Sequence, residues 1–290
     1  MALLKLFMEQ ENKVSIAILG GEGFIGRNLA WYLSDFYECF SIGRRKSFFL
    51  DRKDTFVSGC PYDEKIGKQY SAIVHLMDNS RCAPEYFLDE EKKLVENLDL
   101  DDKKQLILFS SAVVYANPDS EYGLRKRALE GFYSEYCREN GIKLAIIRLF
   151  NTFGPFQIPQ KQGSLIANII CNHMIGQKSE ISSRNSERDF LYAGDIPKFI
   201  EHILENRMTG IFDLGSGKLT SIGDIISVLE SDVLKARIDV IDKNKPDGIV
   251  SPAANNRLLD RISSTDLVTA LSQTVDFYKN NIDSVKKYVH

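Results

Sequence analysis

The chain has no long hydrophobic run: nowhere in its 290 residues is there the stretch of about 18 uninterrupted apolar positions that a membrane-crossing helix needs. It also lacks a charge excess. Its 40 acidic and 37 basic residues leave a net charge of −3 and are mixed along the sequence, so neither nucleic acid nor a membrane is expected as a partner. Cysteine is sparse. Cys39, Cys60, Cys82, Cys137 and Cys171 are odd in number, scattered and without C-x-x-C spacing. That excludes a disulfide framework and a zinc site, and suggests reduced thiols in a cytoplasmic protein. His75, His173, His202 and His290 form no H-x-x-x-H pair and read as core or surface residues, so no metal is expected. There is no internal repeat and no low-complexity segment. The N-terminal Met1 to Met8 is too short for a signal-peptide core, and Glu9, Gln10, Glu11 and Asn12 follow where a small-residue cleavage site would be needed. It reads as a loose leader or an extra helical turn.

What is present is the composition of a globular protein, 43% hydrophobic and 27% charged, on a chain long enough to bury a full core. Val14 to Leu19 is an apolar run of strand length. Gly20-Gly-Glu-Gly-Phe-Ile-Gly26 follows at once and leads into helical spacing over Arg27 to Leu33. Strand, glycine turn, helix is the context in which such a motif binds a dinucleotide. Gly20 would allow the tight turn, Gly23 the approach of backbone amides to a pyrophosphate, and Gly26 close packing of helix on strand. The alternative is a glycine-rich turn without a ligand.

A second strand, Glu38 to Ile42, ends in Gly43-Arg44-Arg45-Lys46, with no carboxylate before Asp51. An acid at that end suits the ribose 2′-hydroxyl of NAD, whereas arginines suit the 2′-phosphate of NADP. Arg44 and Arg45 therefore favour NADP(H) over NAD(H), the alternative being a solvated basic turn. Further strands are expected at Asp54 to Ser58, Ser71 to Leu76, Leu106 to Phe109 and Gly141 to Arg148, the last breaking at Asn151 to Pro155. A helix is expected from Pro84 to about Asn97, with Phe87, Leu88, Leu94, Val95 and Leu98 on one stripe. Alternating helices and unbroken apolar strands indicate an α/β fold, a Rossmann-type doubly wound parallel sheet covered on both faces. Residues 1–155 would form the dinucleotide-binding domain. Residues 156–290 would form most of a smaller C-terminal substrate-binding lobe, with segments returning to the sheet. In that lobe helices are expected near 164–173, 195–206, 222 onward and 265–279, with a strand at Ile211 to Leu214 and a polar stretch at Ser182 to Asp189.

The chemistry concentrates after the fifth strand. Ser110 and Ser111 end it, and Tyr122 and Lys126 stand one helical turn apart, so phenol and ammonium share a face. A phenol is a poor acid or base near neutrality, and a neighbouring cation favours its charged form. Bland roles exist for each residue, but not readily for all of them behind a glycine turn.

Together these stretches resemble the extended short-chain dehydrogenase/reductase superfamily, the NAD(P)-dependent nucleotide-sugar epimerases, dehydratases and reductases. The matching motifs are Gly20 to Gly26, Ile73 to Leu76, Ser110 to Tyr115, Tyr122-Gly-Leu-Arg-Lys126, Arg148 to Pro155 and Arg188 to Tyr192. The resemblance implies an enzyme with Tyr122 as acid/base, Lys126 on the nicotinamide ribose and Ser111 bonded to the reacting oxygen. It implies cofactor contacts from Gly20, Gly23, Phe24, Ile25, Gly26, Leu76 and Phe150. Asn151 and Arg188 would contact the diphosphate of a nucleotide-sugar substrate. It implies a homodimer through helices 84–97 and 122–139, faces that would serve a monomer's core equally well.

Three departures qualify it. Six residues separate Tyr115 from Tyr122 where the family has a longer substrate-facing loop. Ala112-Val113 stands where sugar 4,6-dehydratases carry an Asp-Glu pair, which disfavours elimination. No late diphosphate arginine is evident, with Lys243, Lys245 or Arg257 as substitutes. The leading expectation is an NADP(H)-preferring reductase of a nucleotide-linked keto-sugar, a 4-keto-6-deoxyhexose, with Tyr122 as proton donor. The alternatives are a C4 epimerase with retained NAD and a non-catalytic dinucleotide-binding member.

Overall fold

A computed structural model describes residues 13–49, 52–65, 70–77, 86–160, 164–245, 254 and 262–289. The N-terminal leader, Cys82, Pro84, Arg257 and His290 lie outside them.

The elements run β1 (Ser15–Leu19), α1 (Phe24–Leu33), β2 (Glu38–Gly43), β3 (Thr55–Ser58), β4 (Ala72–His75), α2 (Phe87–Leu98) and β5 (Gln105–Ser111). Then come α3 (Val113–Ala116), α4 (Glu121–Glu139), β6 (Lys143–Leu149) and β7 (Asn151–Phe153). The second half holds α5 (Leu165–Met174), β8 (Ser179–Ile181), β9 (Glu187–Tyr192), α6 (Ile196–Glu205) and β10 (Gly210–Leu214). It closes with β11 (Leu219–Ser221), α7 (Ile222–Val228), β12 (Val240–Asp242) and α8 (Leu267–Val285).

The large sheet has the order β10-β6-β5-β4-β1-β2-β3, every pairing parallel. Its inner strands β1, β4 and β5 are predominantly apolar because both faces are buried, whereas the edge strands β3 and β10 are only partly buried. Ile16, Ile18, Val74, Ile107 and Ile147 point to one side, where α1 and α6 pack. Ala17, Leu19, Ile73, Leu106 and Ile146 point to the other, under α2 and α4. The order reverses between β1 and β4, and in such sheets ligands bind beyond the strand carboxyl ends at that switch. Gly20 and Leu76 leave the sheet there, and the Leu76 N–H donates to Leu19 O at 3.0 Å.

Several expectations shift. In α2 Leu88 is exposed and Glu91 takes its place on the buried face. The segment Asn151 to Phe153, read as a break, is a strand, and the polar stretch Ser182 to Asp189 ends inside β9. Both belong to a second sheet of order β11-β9-β7, and β12 pairs with β8. The expected C-terminal helix runs on to Val285 as α8. β10 pairs with β6 in the large sheet, so the chain comes back to it after α6. A separate apolar cluster of α5, α7 and α8 residues takes in Phe49 from the segment after β2, against Phe156 and Phe277. No helix among the described residues is long and apolar enough to cross a membrane.

Glu91 explains why a carboxylate is tolerated under the sheet. It accepts from Tyr62 Oη at 2.9 Å and Tyr133 Oη at 2.8 Å, and its Oε2 lies 3.2 Å from His75 Nε2. His75 Nδ1 accepts from the Met77 N–H at 3.3 Å, which leaves Nε2 as the donor to Glu91. Burial alone would raise the Glu91 carboxyl, but the bonds from His75, Tyr133 and Tyr62 outweigh it and hold the group below its ordinary value. A depressed carboxyl stabilises the fold fully above its unfolded-state value, and the contribution is lost as the pH falls through the folded one. Unfolding midpoints should therefore drop as the pH falls below about 4.5, and Glu91→Gln should flatten that acid limb. Superimposable acid limbs would refute this.

Candidate functional site

The glycine turn leaves the N-terminus of α1 without a side-chain cap. Gly20 has φ +80°, in the left-handed region, and a Cβ on Gly26 would lie 2.5 Å from Gly20 O. Gly23 is the N-cap of α1, which has no side-chain cap and no acid in its first turn. The first amides of a helix so left are an anion site, and this cradle fits the pyrophosphate of a dinucleotide. Phe24 and Ile25 meanwhile pack partly buried against the core on the α1 side.

The end of β2 differs from expectation. Arg44, Arg45 and Lys46 are exposed, and among the described residues no side-chain hydrogen bond or ion pair holds Arg44 or Arg45. An acid reaches that end from elsewhere. Glu22, inside the glycine turn, accepts from Ser47 N at 2.5 Å and from Arg52 Nη2 at 2.7 Å, and its Cγ lies 3.7 Å from where a Cβ on Gly43 would be. Arg52 also donates to Asp54 at 2.8 Å, and Asp54 pairs with Arg27 at 2.9 Å. Burial pushes the Asp54 carboxyl up, but the Ser41 hydroxyl nearby, the bond from Arg52 and the charges of Arg27 and Arg52 hold it below its ordinary value. The sequence signal for Glu22 was an acidic side chain between two glycines, facing a β2 end with no acid of its own.

Ser111 is the last residue of β5 and accepts from the Val113 N–H at 3.2 Å. Behind it a polar brace ties α4 to the sheet. Ser110 donates to Glu130 Oε1 at 2.6 Å, and Arg148 Nη2 pairs with Glu130 Oε2 at 2.6 Å. Arg148 also donates to the Tyr115 hydroxyl, which donates to Asp213 at 2.9 Å. The middle of α4, at Glu130, is thereby tied to β5 and β6, and α3, at Tyr115, to β6 and β10.

The link from Tyr115 to Tyr122 is the end of α3 and a short turn, Asn117 to Ser120, that leads straight into α4. Ser120 caps α4, its Oγ accepting from Gly123 N at 3.0 Å. A Cβ on Gly123 would come 2.3 Å from Asn117 O, so the turn lies directly on the helix. Tyr122 therefore stands in the first turn of α4, its ring 45% exposed. Lys126 is 7% exposed, with Nζ 5.5 Å from the centre of that ring. The pair expected from spacing does meet, and Tyr122 is open to solvent on its outer side.

Phe150 is buried against Ala112 and Ala254, next in space to the Ser111 turn. Asn151 is paired with Phe190 in a parallel ladder, so Arg188, two residues before Phe190, shares a face of the second sheet with Asn151. Arg188 is buried and donates to Glu187 O at 2.7 Å. Asp189 points the other way and holds the neighbouring turn. Lys243 pairs with Glu180 at 2.6 Å on the edge of that lobe.

A family model described as "NAD dependent epimerase/dehydratase family" matches residues 16–215. A Methanocaldococcus jannaschii protein provisionally named a UDP-glucose 4-epimerase is 28% identical over 170 residues, 57% of this chain and 55% of that protein. UDP-glucuronic acid decarboxylase 1 of Xenopus tropicalis is 24% identical over 252 residues, 74% of this chain and 59% of that protein. The chain thus spans less than two thirds of these curated relatives. A UDP-N-acetylglucosamine 4-epimerase structure from Methanobrevibacter ruminantium M1 superposes with TM-score 0.76 at 22% identity, covering 93% of this chain and 100% of that one. At that identity the likeness speaks to the fold.

Proposed function

Because this chain belongs to the NAD dependent epimerase/dehydratase family, we propose that it epimerises C4 of a nucleotide-linked sugar with a retained dinucleotide. The observation that carries this reading is Tyr122, paired with Lys126 at the carboxyl edge of the sheet and open on its outer side. Bound nicotinamide would supply reversible hydride acceptance at the sugar carbon. Tyr122 takes the hydroxyl proton as the carbinol is oxidised and returns one as the ketone is reduced. Lys126 holds the nicotinamide ribose and sets positive charge beside the phenol. Ser111 orients the sugar oxygen, Phe150 flanks the nicotinamide, and Asn151 and Arg188 grip the diphosphate. Inversion also requires the keto-sugar to present its other face to the same hydride donor. Tyr122 is exposed on its outer side, which gives the keto-sugar room to turn. In this scheme residues 1–155 serve the dinucleotide and 156–290 mostly the sugar nucleotide, with β10 returned to the large sheet.

A second reading, an NADP(H)-preferring reductase of a 4-keto-6-deoxyhexose nucleotide, is favoured by the exposed Arg44-Arg45-Lys46 turn. One comparison separates them. Purified protein given UDP-glucose or UDP-N-acetylglucosamine should yield the C4 epimer, seen as a changed H4 coupling by proton NMR, with no net change at the nicotinamide absorbance band. Stoichiometric oxidation of NADPH on adding a dTDP- or GDP-4-keto-6-deoxyhexose, with no epimer formed, would replace the first reading by the second.

A further inference from the structure

Dinucleotide folds usually choose between NAD and NADP with a side chain at the end of β2. Here β2 ends in Ile42 and Gly43 without an acid, and the basic residues that follow point to solvent. The carboxylate at that place is delivered by the preceding turn. Resting on the dinucleotide reading above, we propose that Glu22 accepts the adenosine ribose 2′-hydroxyl and selects NAD against NADP.

Geometry makes Glu22 a fixed group. Ser47 N and Arg52 Nη2 bond different oxygens of its carboxylate, and its side chain is only 9% exposed. Oε2 takes both Ser47 N and Arg52 Nη1, at 3.4 Å, while Oε1 accepts only from Arg52 Nη2, so a ribose hydroxyl can be added on Oε1 without displacing a partner. The Ser47 bond also anchors the turn that carries Arg44, Arg45 and Lys46, so the acid reaches the β2 end ahead of them.

Charge decides the preference. Glu22, Arg52, Asp54 and Arg27 form a chain of two carboxylates and two guanidiniums, so the charge of Arg52 is already compensated and the cluster is neutral. A 2′-phosphate brings close to two negative charges. Seated beside a largely buried carboxylate it meets like charge with little solvent to screen it, a costly juxtaposition. Removing the Glu22 charge reverses the argument. Arg52 is then shared only with Asp54, the cluster becomes cationic by one, and a phosphate gains a bidentate partner.

The test is binding, read by calorimetry on protein freed of bound nucleotide and checked for folding by circular dichroism. Native protein should bind NAD at least about tenfold more tightly than NADP. Glu22→Ala should shift the ratio of the two dissociation constants by about tenfold or more toward NADP. Glu22→Gln, which keeps an acceptor for Arg52 and removes only the charge, should shift it the same way and guards against misfolding of the alanine variant. Exchanging both Arg44 and Arg45 for serine should leave the ratio within about twofold. An NADP preference in the native protein, an unshifted ratio in both Glu22 variants, or control passing to the arginines would overturn the assignment while the dinucleotide reading stands. Binding of neither dinucleotide would overturn both.

Discussion

Exchanging Tyr122 for phenylalanine is expected to cut kcat for the nucleotide sugar by about 10²–10⁴-fold, the span that positioned acid–base groups contribute. Dinucleotide affinity should stay within about twofold and the melting temperature within about 2 °C, as for surface substitutions. Three features isolate the hydroxyl as the cause. The ring is exposed in the first turn of α4, so the change opens no core cavity. The Lys126 ammonium sits over the ring face, a contact that phenylalanine retains. The helix cap is made by Ser120 and Gly123, and does not involve Tyr122. Loss of turnover with fold and binding intact would therefore mark a proton-transfer group. Turnover within about threefold of native would remove Tyr122 from the chemistry and favour a non-catalytic member.

The largest effect on stability is expected at Asp189. This carboxylate is fully buried and accepts from Ser216 N at 2.5 Å, Ser216 Oγ at 2.6 Å, Gly217 N at 3.0 Å and Ala254 N at 2.8 Å. The turn packs so tightly on it that a Cβ at Gly215 would lie 2.6 Å from its Oδ2. Alanine in its place would remove the acceptor of three backbone donors, of which the Ala254 N–H is buried and those of Ser216 and Gly217 are partly buried, a stranded buried donor costing about 1–3 kcal/mol. The costs do not simply add, and a net loss of roughly 3–5 kcal/mol is expected, lowering Tm by about 10 °C. Asn, which keeps one accepting oxygen, should lose about half as much. Because Arg188 is the adjacent residue on β9, the alanine variant should also raise KM for the sugar nucleotide. A Tm within about 2 °C of native would show that the turn is held by something other than this carboxylate.

These two residues also show where sequence reasoning reaches and where it stops. The spacing of Tyr122 and Lys126 and the glycine turn between an apolar strand and a helix are local, and both are present in the structure. β1 to β6 also lie where they were expected, and in the inner strands β1, β4 and β5 burial on both faces shows in the sequence as a largely apolar run. The short strands β7, β8, β9, β11 and β12 carry no such mark. Ser182 to Asp189 is polar, and it enters a strand only because β7 and β11, distant in sequence, offer it backbone partners. Asp189 was simply the residue after an arginine of interest until its donors, up to 65 positions away, closed around it.

The same holds at the dinucleotide end. The sequence by itself determined a Rossmann-type sheet, a phosphate-accepting turn and a tyrosine–lysine pair, because period, caps and glycine conformations act over a few residues. Tertiary structure alone decided which charge stands at the end of β2. Arg44 and Arg45 are adjacent to that end in the chain, whereas Glu22 is brought there by the parallel pairing of β1 with β2 and held by Arg52, 30 residues away. Charge compensation acts through space, and no local pattern encodes it.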